Sequence, residues 1–247
     1  RYEALGGCAA NVASGMAKLG LEVSCYSKVG DDFIGEWIKQ ELNSRNVLTD
    51  LIQTEPDTPS DLSAIIVDKK SGERVIFFNR DANENLKIAP QSLDNFDWLF
   101  ASALNGNEKE SWENNLEKII KICQGKAKLA FNPGPENIKS NPQKIREGIK
   151  HSQVLLVNKD EAIEIISGGR SEPMTGNLND EKFLVEELRR YEAEVIVVTD
   201  GKRGAWVGDK KNIFYAEALG GHPVETTGAG DAFSSGFLAA YIKGKDL

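Results

Sequence analysis

Two kinds of apolar pattern alternate along most of this chain. Residues 154–157 and 195–199 are short, nearly continuous apolar runs, as strands buried on both faces require. Between and around them lie segments with apolar residues three and four apart: Leu116, Ile119, Ile120 and Cys123; Ala162, Ile165 and Ile166; and the stretch 182–192. That spacing predicts amphipathic helices. Shorter strands are expected at 97–101 and 128–131, with a helix at 142–149. Nearer the start, 22–28 alternates around Val23 and Cys25, with Val29 following. A turn over 30–35 then leads into a helix through Trp37, Ile38 and Leu42 that ends near Asn46. Strand, turn, helix, repeated, is the signature of a mostly parallel α/β sheet with helices wound on both faces. At the end of the chain Phe233, Gly236, Phe237, Ala240 and Tyr241 share one helical face, which is expected to be the buried one.

Residues 61–80 break this rhythm. Two apolar runs, 62–67 and 74–79, flank a polar turn at Ser71-Gly72 with no helix between them. This predicts a small antiparallel β lid that could close over a substrate and exclude water. Arg80, in the polar run that ends it, is a candidate contact for a substrate hydroxyl or phosphate. A solvated loop is the alternative. A second hairpin is expected after Thr199, and the polar stretch 168–179 is expected to be an exposed loop.

Candidate chemistry gathers at the turns. In Thr227-Gly-Ala-Gly-Asp231, small residues open the last helix. The amides of Gly228, Ala229 and Gly230 would lack partners one turn back and would carry the positive end of the helix dipole. Such a turn can hold an anion. Asp231 beside it could take a proton from a hydroxyl while the amides hold the charge building on a transferring phosphoryl group. A tight turn with a capping Asp is the plainer alternative. Gly6 and Gly7 would let backbone approach a ligand, and Asn11, one turn into the following helix, could bind hydroxyls. That helix is expected to bury Val12, Met16 and Leu19 and to stop at Gly20. Asn158 and Glu161 flank a helix start at a strand's C-terminal end. Glu161 could act on phosphates through Mg²⁺, or the two could form only a capping box. Thr199, Gly201 and Gly204 lie at a comparable strand end, where open α/β sheets bind ligands.

Composition narrows the partners. The chain has 247 residues, 40% hydrophobic and 28% charged, enough for one large α/β domain or two small ones. A net charge of −8 makes nucleic acid an unsuitable partner. No apolar run reaches membrane-spanning length, no signal peptide is evident, and three widely spaced cysteines suit a reducing, cytoplasmic setting with free thiols. Two histidines and no cysteine cluster argue against zinc.

The stretches Gly6-Gly7-Cys-Ala-Ala-Asn11, Asn158-Lys-Asp-Glu161 and Thr227-Gly-Ala-Gly-Asp231-Ala-Phe occur in the order and approximate spacing of a known family. With the 30–35 and 199–204 turns, they make the chain resemble the ribokinase-like, PfkB-type carbohydrate kinases over nearly its whole length. The resemblance implies one doubly wound ribokinase-like kinase domain over 1–247 with a lid hairpin at about 61–80. It implies ATP, Mg²⁺ and a sugar or nucleoside acceptor. It assigns Asp231 as base and Gly228, Ala229 and Gly230 as anion hole. Gly6, Gly7 and Asn11 would hold the sugar, Asn158 and Glu161 the metal–phosphate end, and Thr199, Gly201 and Gly204 the nucleotide. A homodimer through the lid is the assembly expected. Family members begin with a strand carrying a sugar-binding Asp and continue past the last helix here, so a chain shortened at both ends is expected. Glu225 stands where the family commonly has Asp beside a monovalent-cation site, which leaves K⁺ open as a further cofactor. Cys8-Ala-Ala-Asn11 replaces the Lys-Gly-Ala-Asn of true ribokinases, so ribose is not the favoured sugar. A non-catalytic sensor on the same fold would have no use for Asp231. A nicotinamide oxidoreductase would need a Gly-x-Gly-x-x-Gly fingerprint that is absent.

Overall fold

The structure, a computed structural model, describes residues 3–68, 74–169, 176–221 and 226–247. Ser71, Gly72 and Glu225 therefore lie outside the described residues. The chain divides into two compact units, one taking 1–87 and 105–111, the other 88–104 and 112–247.

The first unit opens with helix α1 (Cys8–Lys18), entered through Gly7 at φ 88°. Val12, Ala13, Met16 and Ala17 form its buried face, and small residues at two of these positions let it pack closely. Leu19, expected in that stripe, is instead 46% exposed, because the helix has ended and Leu19 serves as its C-cap. The expected strand at 22–28 is split into β1 (Val23–Ser24) and β2 (Ser27–Gly30). Helix α2 (Phe33–Ser44) follows, then two strands that the apolar pattern did not announce, β3 (Val47–Leu48) and β4 (Ile52–Glu55). β1 pairs with β3 and β2 with β4, both parallel, giving two separate two-stranded sheets. Leu5, Ala13, Cys25, Val29, Leu42 and Ile52 make the core between these elements. The 30–35 turn is built as expected: Asp32 caps α2 by accepting from the Gly35 amide at 2.8 Å. Gly30 is obligatory there, since a Cβ would lie 2.0 Å from the Thr58 carbonyl oxygen.

The lid hairpin is formed by β5 (Leu62–Val67) and β6 (Arg74–Asn79), antiparallel, with Leu62 opposite Asn79. Polar contacts clamp its base. The Asn79 amide oxygen accepts from the Leu62 amide at 2.9 Å, and Asp61 accepts from the amides of Asp81 and Ala82 at 3.1 and 3.0 Å.

The second unit holds a six-stranded sheet. Its elements are β7 (Trp98–Ala101), α3 (Trp112–Cys123), β8 (Lys128–Phe131), α4 (Pro135–Ser140), α5 (Pro142–Lys150), β9 (Val154–Asn158), α6 (Lys159–Ser167), α7 (Glu181–Leu188), β10 (Val195–Thr199), β11 (Ala205–Gly208), β12 (Ile213–Ala216) and α8 (Ala229–Ile242). The strand order is β12-β11-β10-β9-β8-β7. β7 to β10 run parallel and the β10–β11–β12 meander is antiparallel. The continuous apolar runs are the central strands β9 and β10, whose first four residues are all buried. Such strands must be apolar on both faces because helices cover both.

One expectation about α8 is overturned. Its buried residues are Ser234, Ser235, Leu238 and Ala239, not the aromatic stripe. Phe233, Phe237 and Tyr241 stack along a half-buried flank at centroid spacings of 6.2 and 6.0 Å, and Tyr241 meets Trp98 edge-on at 5.9 Å. Three of the four buried residues are small, with Leu238 the one large apolar side chain among them. The spacing rule could not tell an inward apolar stripe from an aromatic one on the flank.

Candidate active site

The β9–α6 junction begins with Asn158, the exposed last residue of an otherwise buried strand. Its side-chain oxygen accepts from the Glu161 amide at 2.9 Å, and Glu161 Oε2 accepts from the Asn158 amide at 2.9 Å. The capping box foreseen as an alternative is therefore formed. Glu161 Oε1 makes no hydrogen bond among the described residues. Burial pushes the Glu161 carboxyl up from 4.5 to about 7, aided by the nearby carboxylates of Asp160 and Glu164 and opposed by the bond from the Asn158 amide. This carboxyl stands at the threshold of ionisation at neutral pH.

Thr199 ends β10 directly beside Asn158, its register partner on β9. The two strand ends thus bring together Asn158 and the 199–204 turn at the C-terminal edge of the sheet. In that turn the two glycines differ. Gly201, at φ 47°, has open space where a Cβ would stand. Gly204, at φ 95°, would place a Cβ 2.1 Å from the Ala216 carbonyl oxygen, so the fold itself demands glycine there.

Sequence reasoning missed the charged groups behind these two turns. Lys159 Nζ lies 2.8 Å from Glu181 Oε1 and 3.5 Å from Asp200 Oδ2. Arg203 grips both carboxylates. Lys159 and Asp200 each follow a strand end, a signal that was available. Glu181 is a buried acid at the start of α7, 22 residues from Lys159, and nothing local marks it.

α8 begins differently from α6. Its N-cap, Gly228, is left-handed (φ 77°, ψ 4°), and no side chain caps the helix. The Ala229 amide donates to the Thr226 carbonyl at 3.1 Å. The Gly228 and Gly230 amides have no partner among the described residues, and a Cβ on Gly230 would meet nothing within 4 Å. Asp231 is half-buried in the first helical turn.

In the first unit, Gly6 and Gly7 also have open space at the Cβ position. Asn11 is half-buried one turn into α1, its amide donating to the Gly7 carbonyl at 3.0 Å. Arg80 is exposed. Its guanidinium lies 4.9 Å from the Phe78 ring centroid and donates to Asn105 Oδ1 at 3.3 Å.

No group of three or more His, Cys, Asp or Glu forms a metal cage among the described residues. Mg²⁺ is commonly held through one or two carboxylates, waters and substrate phosphates rather than by a protein cage. Glu161, with one carboxylate oxygen unengaged, fits that role. No helix among the described residues is long and apolar enough to cross a membrane.

The model of the pfkB family carbohydrate kinases matches residues 3–247. A ribokinase of Bacillus subtilis is 28% identical over 243 residues, covering 98% of this chain and 75% of the relative. A nucleoside kinase of Methanocaldococcus jannaschii is 29% identical over 243 residues, covering 98% of this chain and 74% of the relative. The crystal structure of a ribokinase from Thermotoga maritima superposes with a TM-score of 0.79 at 20% identity, over 98% of this chain and 75% of that one.

Proposed function

This chain belongs to the pfkB family of carbohydrate kinases, and from that membership we propose how its residues divide the work. ATP is the phosphoryl donor, and a hydroxyl of a sugar or nucleoside is the acceptor. Asp231 takes the hydroxyl proton as the acceptor oxygen forms its bond to the γ-phosphorus. The bond from that phosphorus to the bridging oxygen breaks, and ADP leaves. The amides of 228–230 stabilise the charge on the group in transit, with Gly228 and Gly230 foremost because the Ala229 amide is engaged within the turn. The observation that carries this reading is the start of α8: a left-handed glycine, no side-chain cap, and a carboxylate in the first turn.

Asn158, Thr199, Gly201 and Gly204 serve the nucleotide, and Glu161 serves Mg²⁺ by direct or water-mediated contact. Mg²⁺, when bound, neutralises phosphate charge. Gly6, Gly7, Asn11 and Arg80 hold the acceptor. Relatives that act on ribose and on nucleosides are equally similar to this chain, so the acceptor class is a sugar or nucleoside. The test is a panel of both, assayed for ADP release. Release that requires an acceptor and Mg²⁺ is expected. Nucleotide binding without acceptor-dependent release would leave the sensor reading instead.

The lid supports a homodimer. Leu62, Ala64, Ile66, Val75 and Phe77 share one face of the hairpin and Ile65, Val67, Ile76 and Phe78 the other, by its register. Both faces are exposed and apolar, with Ile66 at 63% and Phe78 at 61%. A two-stranded ribbon is too thin to bury either face by itself. One face covers the acceptor, and the other meets a second copy. Ile66→Asp, on the face away from Arg80 and Phe78, should shift a sedimenting dimer to monomer; a monomeric wild type would remove the dimer. Replacing K⁺ by tetramethylammonium tests the monovalent cation, whose loss should lower kcat.

A further inference from the structure

The Asn158 and Thr199 turns end neighbouring strands, yet nothing in the parallel ladder orients the segments that leave them. Strand pairing stops at Thr199 and Asn158. The next residue on each side is charged, and the two are joined. Lys159 Nζ reaches Asp200 Oδ2 at 3.5 Å and Glu181 Oε1 at 2.8 Å. It also donates to the Asn179 carbonyl at 3.4 Å, just before α7. Arg203 closes the ring: its Nε donates to Asp200 Oδ2 at 2.7 Å, and its Nη2 contacts both Asp200 and Glu181.

The Lys159–Glu181 side of the ring is dry, while Asp200 and Arg203 are 25% and 52% exposed. The side chains of Lys159 and Glu181 are 13% and 7% exposed. Burial opposes ionisation of Asp200, but the hydrogen bonds and charge of Arg203, with the charge of Lys159, outweigh it and hold the carboxyl below its ordinary value. A buried ion pair adds little net stability over apolar residues of similar size, because desolvation offsets the attraction. Apolar residues would fill this space as well. What they would not do is fix the direction of two loops by hydrogen bonds of defined geometry. Three elements meet here: the first residue of α6, the first residue of α7 and the β10–β11 turn. The first and third of these carry Asn158, Glu161, Thr199 and Gly201.

The geometry points to Lys159, Glu181 and Arg203, acting with Asp200, as positioning residues that set the β9–α6 and β10–β11 turns to one another so that both present to the same nucleotide. In this role they act through the two turns rather than on the substrate. Because the inference names the nucleotide end, it rests on the kinase reading above, and its test keeps the two apart.

The full chain is compared with Lys159→Met, Lys159→Arg and Arg203→Met. Steady-state kinetics should show the KM for ATP rising about tenfold in Lys159→Met, while the acceptor KM and kcat stay within about threefold. Lys159→Arg, which keeps the charge, should recover most of that loss. Arg203 is half exposed (52%), so Arg203→Met should fold well and show a smaller rise of the same kind. Hydrogen exchange of the free protein gives a readout independent of activity: amides in 158–161 and 199–204 should exchange faster in Lys159→Met, with those of α8 unchanged. Should Lys159→Met fail to fold, Arg203→Met carries both measurements. Unchanged exchange in both turns, a parallel rise in both KM values, or no recovery with Lys159→Arg would overturn the inference. A wild type that releases no ADP with any acceptor would overturn the kinase reading alone, and hydrogen exchange would still decide this one.

Discussion

α6 and α8 both start at a loop that bears candidate chemistry, and they satisfy their first amides in opposite ways. α6 closes on itself: Asn158 and Glu161 exchange two hydrogen bonds of 2.9 Å each. α8 has a left-handed glycine at its N-cap and no side-chain cap hydrogen bond. Elsewhere Asp32, Asn141 and Asp180 cap α2, α5 and α7 in the ordinary manner. A helix start filled by its own side chains is stable alone. One left open keeps its dipole and amides for an incoming anion. The contrast shows two ways of starting a helix, with a reciprocal side-chain box as at α6 or with a glycine and no side-chain cap as at α8, α1 and α4.

The largest test falls on α8. Asp231→Asn should lower kcat by about 10³ if the carboxylate is the proton acceptor, within the usual range for a general base, with ATP affinity nearly kept. Near-normal turnover would end that assignment. Gly230→Ala sharpens the contrast further. A Cβ there meets open space, so the protein should be more stable by about 0.5–1 kcal/mol, as for Gly-to-Ala inside a helix. Yet the methyl group would stand where the anion must lie, and kcat should fall at least about tenfold. A more stable and fully active variant would show that the open start is incidental.

At α6 the expected effects are smaller. The folded Glu161 carboxyl titrates near 7, above its ordinary 4.5, so the native state binds the extra proton between these values. Its contribution is fully present below about 4.5 and is lost as pH rises through about 7. Thermal melts of the metal-free protein should show a fall in Tm across that window that Glu161→Gln abolishes. Mg²⁺-dependent nucleotide affinity should instead rise through the same window, since the ionised form is the ligand. The smallest effect is Asn158→Ala, a lost N-cap costing about 1 kcal/mol, or about 2–4 °C in Tm. A larger drop would mean that the junction does more than cap.

Much of this was legible in the residues. The apolar runs located β9 and β10 at their observed positions, and the 3.6-residue period located α3 and α6 with their buried Leu116, Ile119, Ala162 and Ile165. Those elements are long, or apolar throughout, so local pattern and burial agree. β3 and β4 were not foreseen, since strands of two and four residues carry too few positions to show a period. α4, a six-residue helix behind Gly134-Pro135, was masked by its turn-like start. The motif residues Asn158, Glu161 and Asp231 were found because each stands beside a helix start, which has a local signature.

The longer strands and helices, the turns at glycine, and the placing of a carboxylate in the first turn of α8 follow from the chain alone, because each depends on neighbours within a few residues. Which face of α8 turns inward, and the meeting of Lys159 with Glu181, Asp200 and Arg203, were decided only by tertiary structure. Both depend on groups far apart in sequence, where packing space and desolvated charge, rather than local periodicity, select the partner.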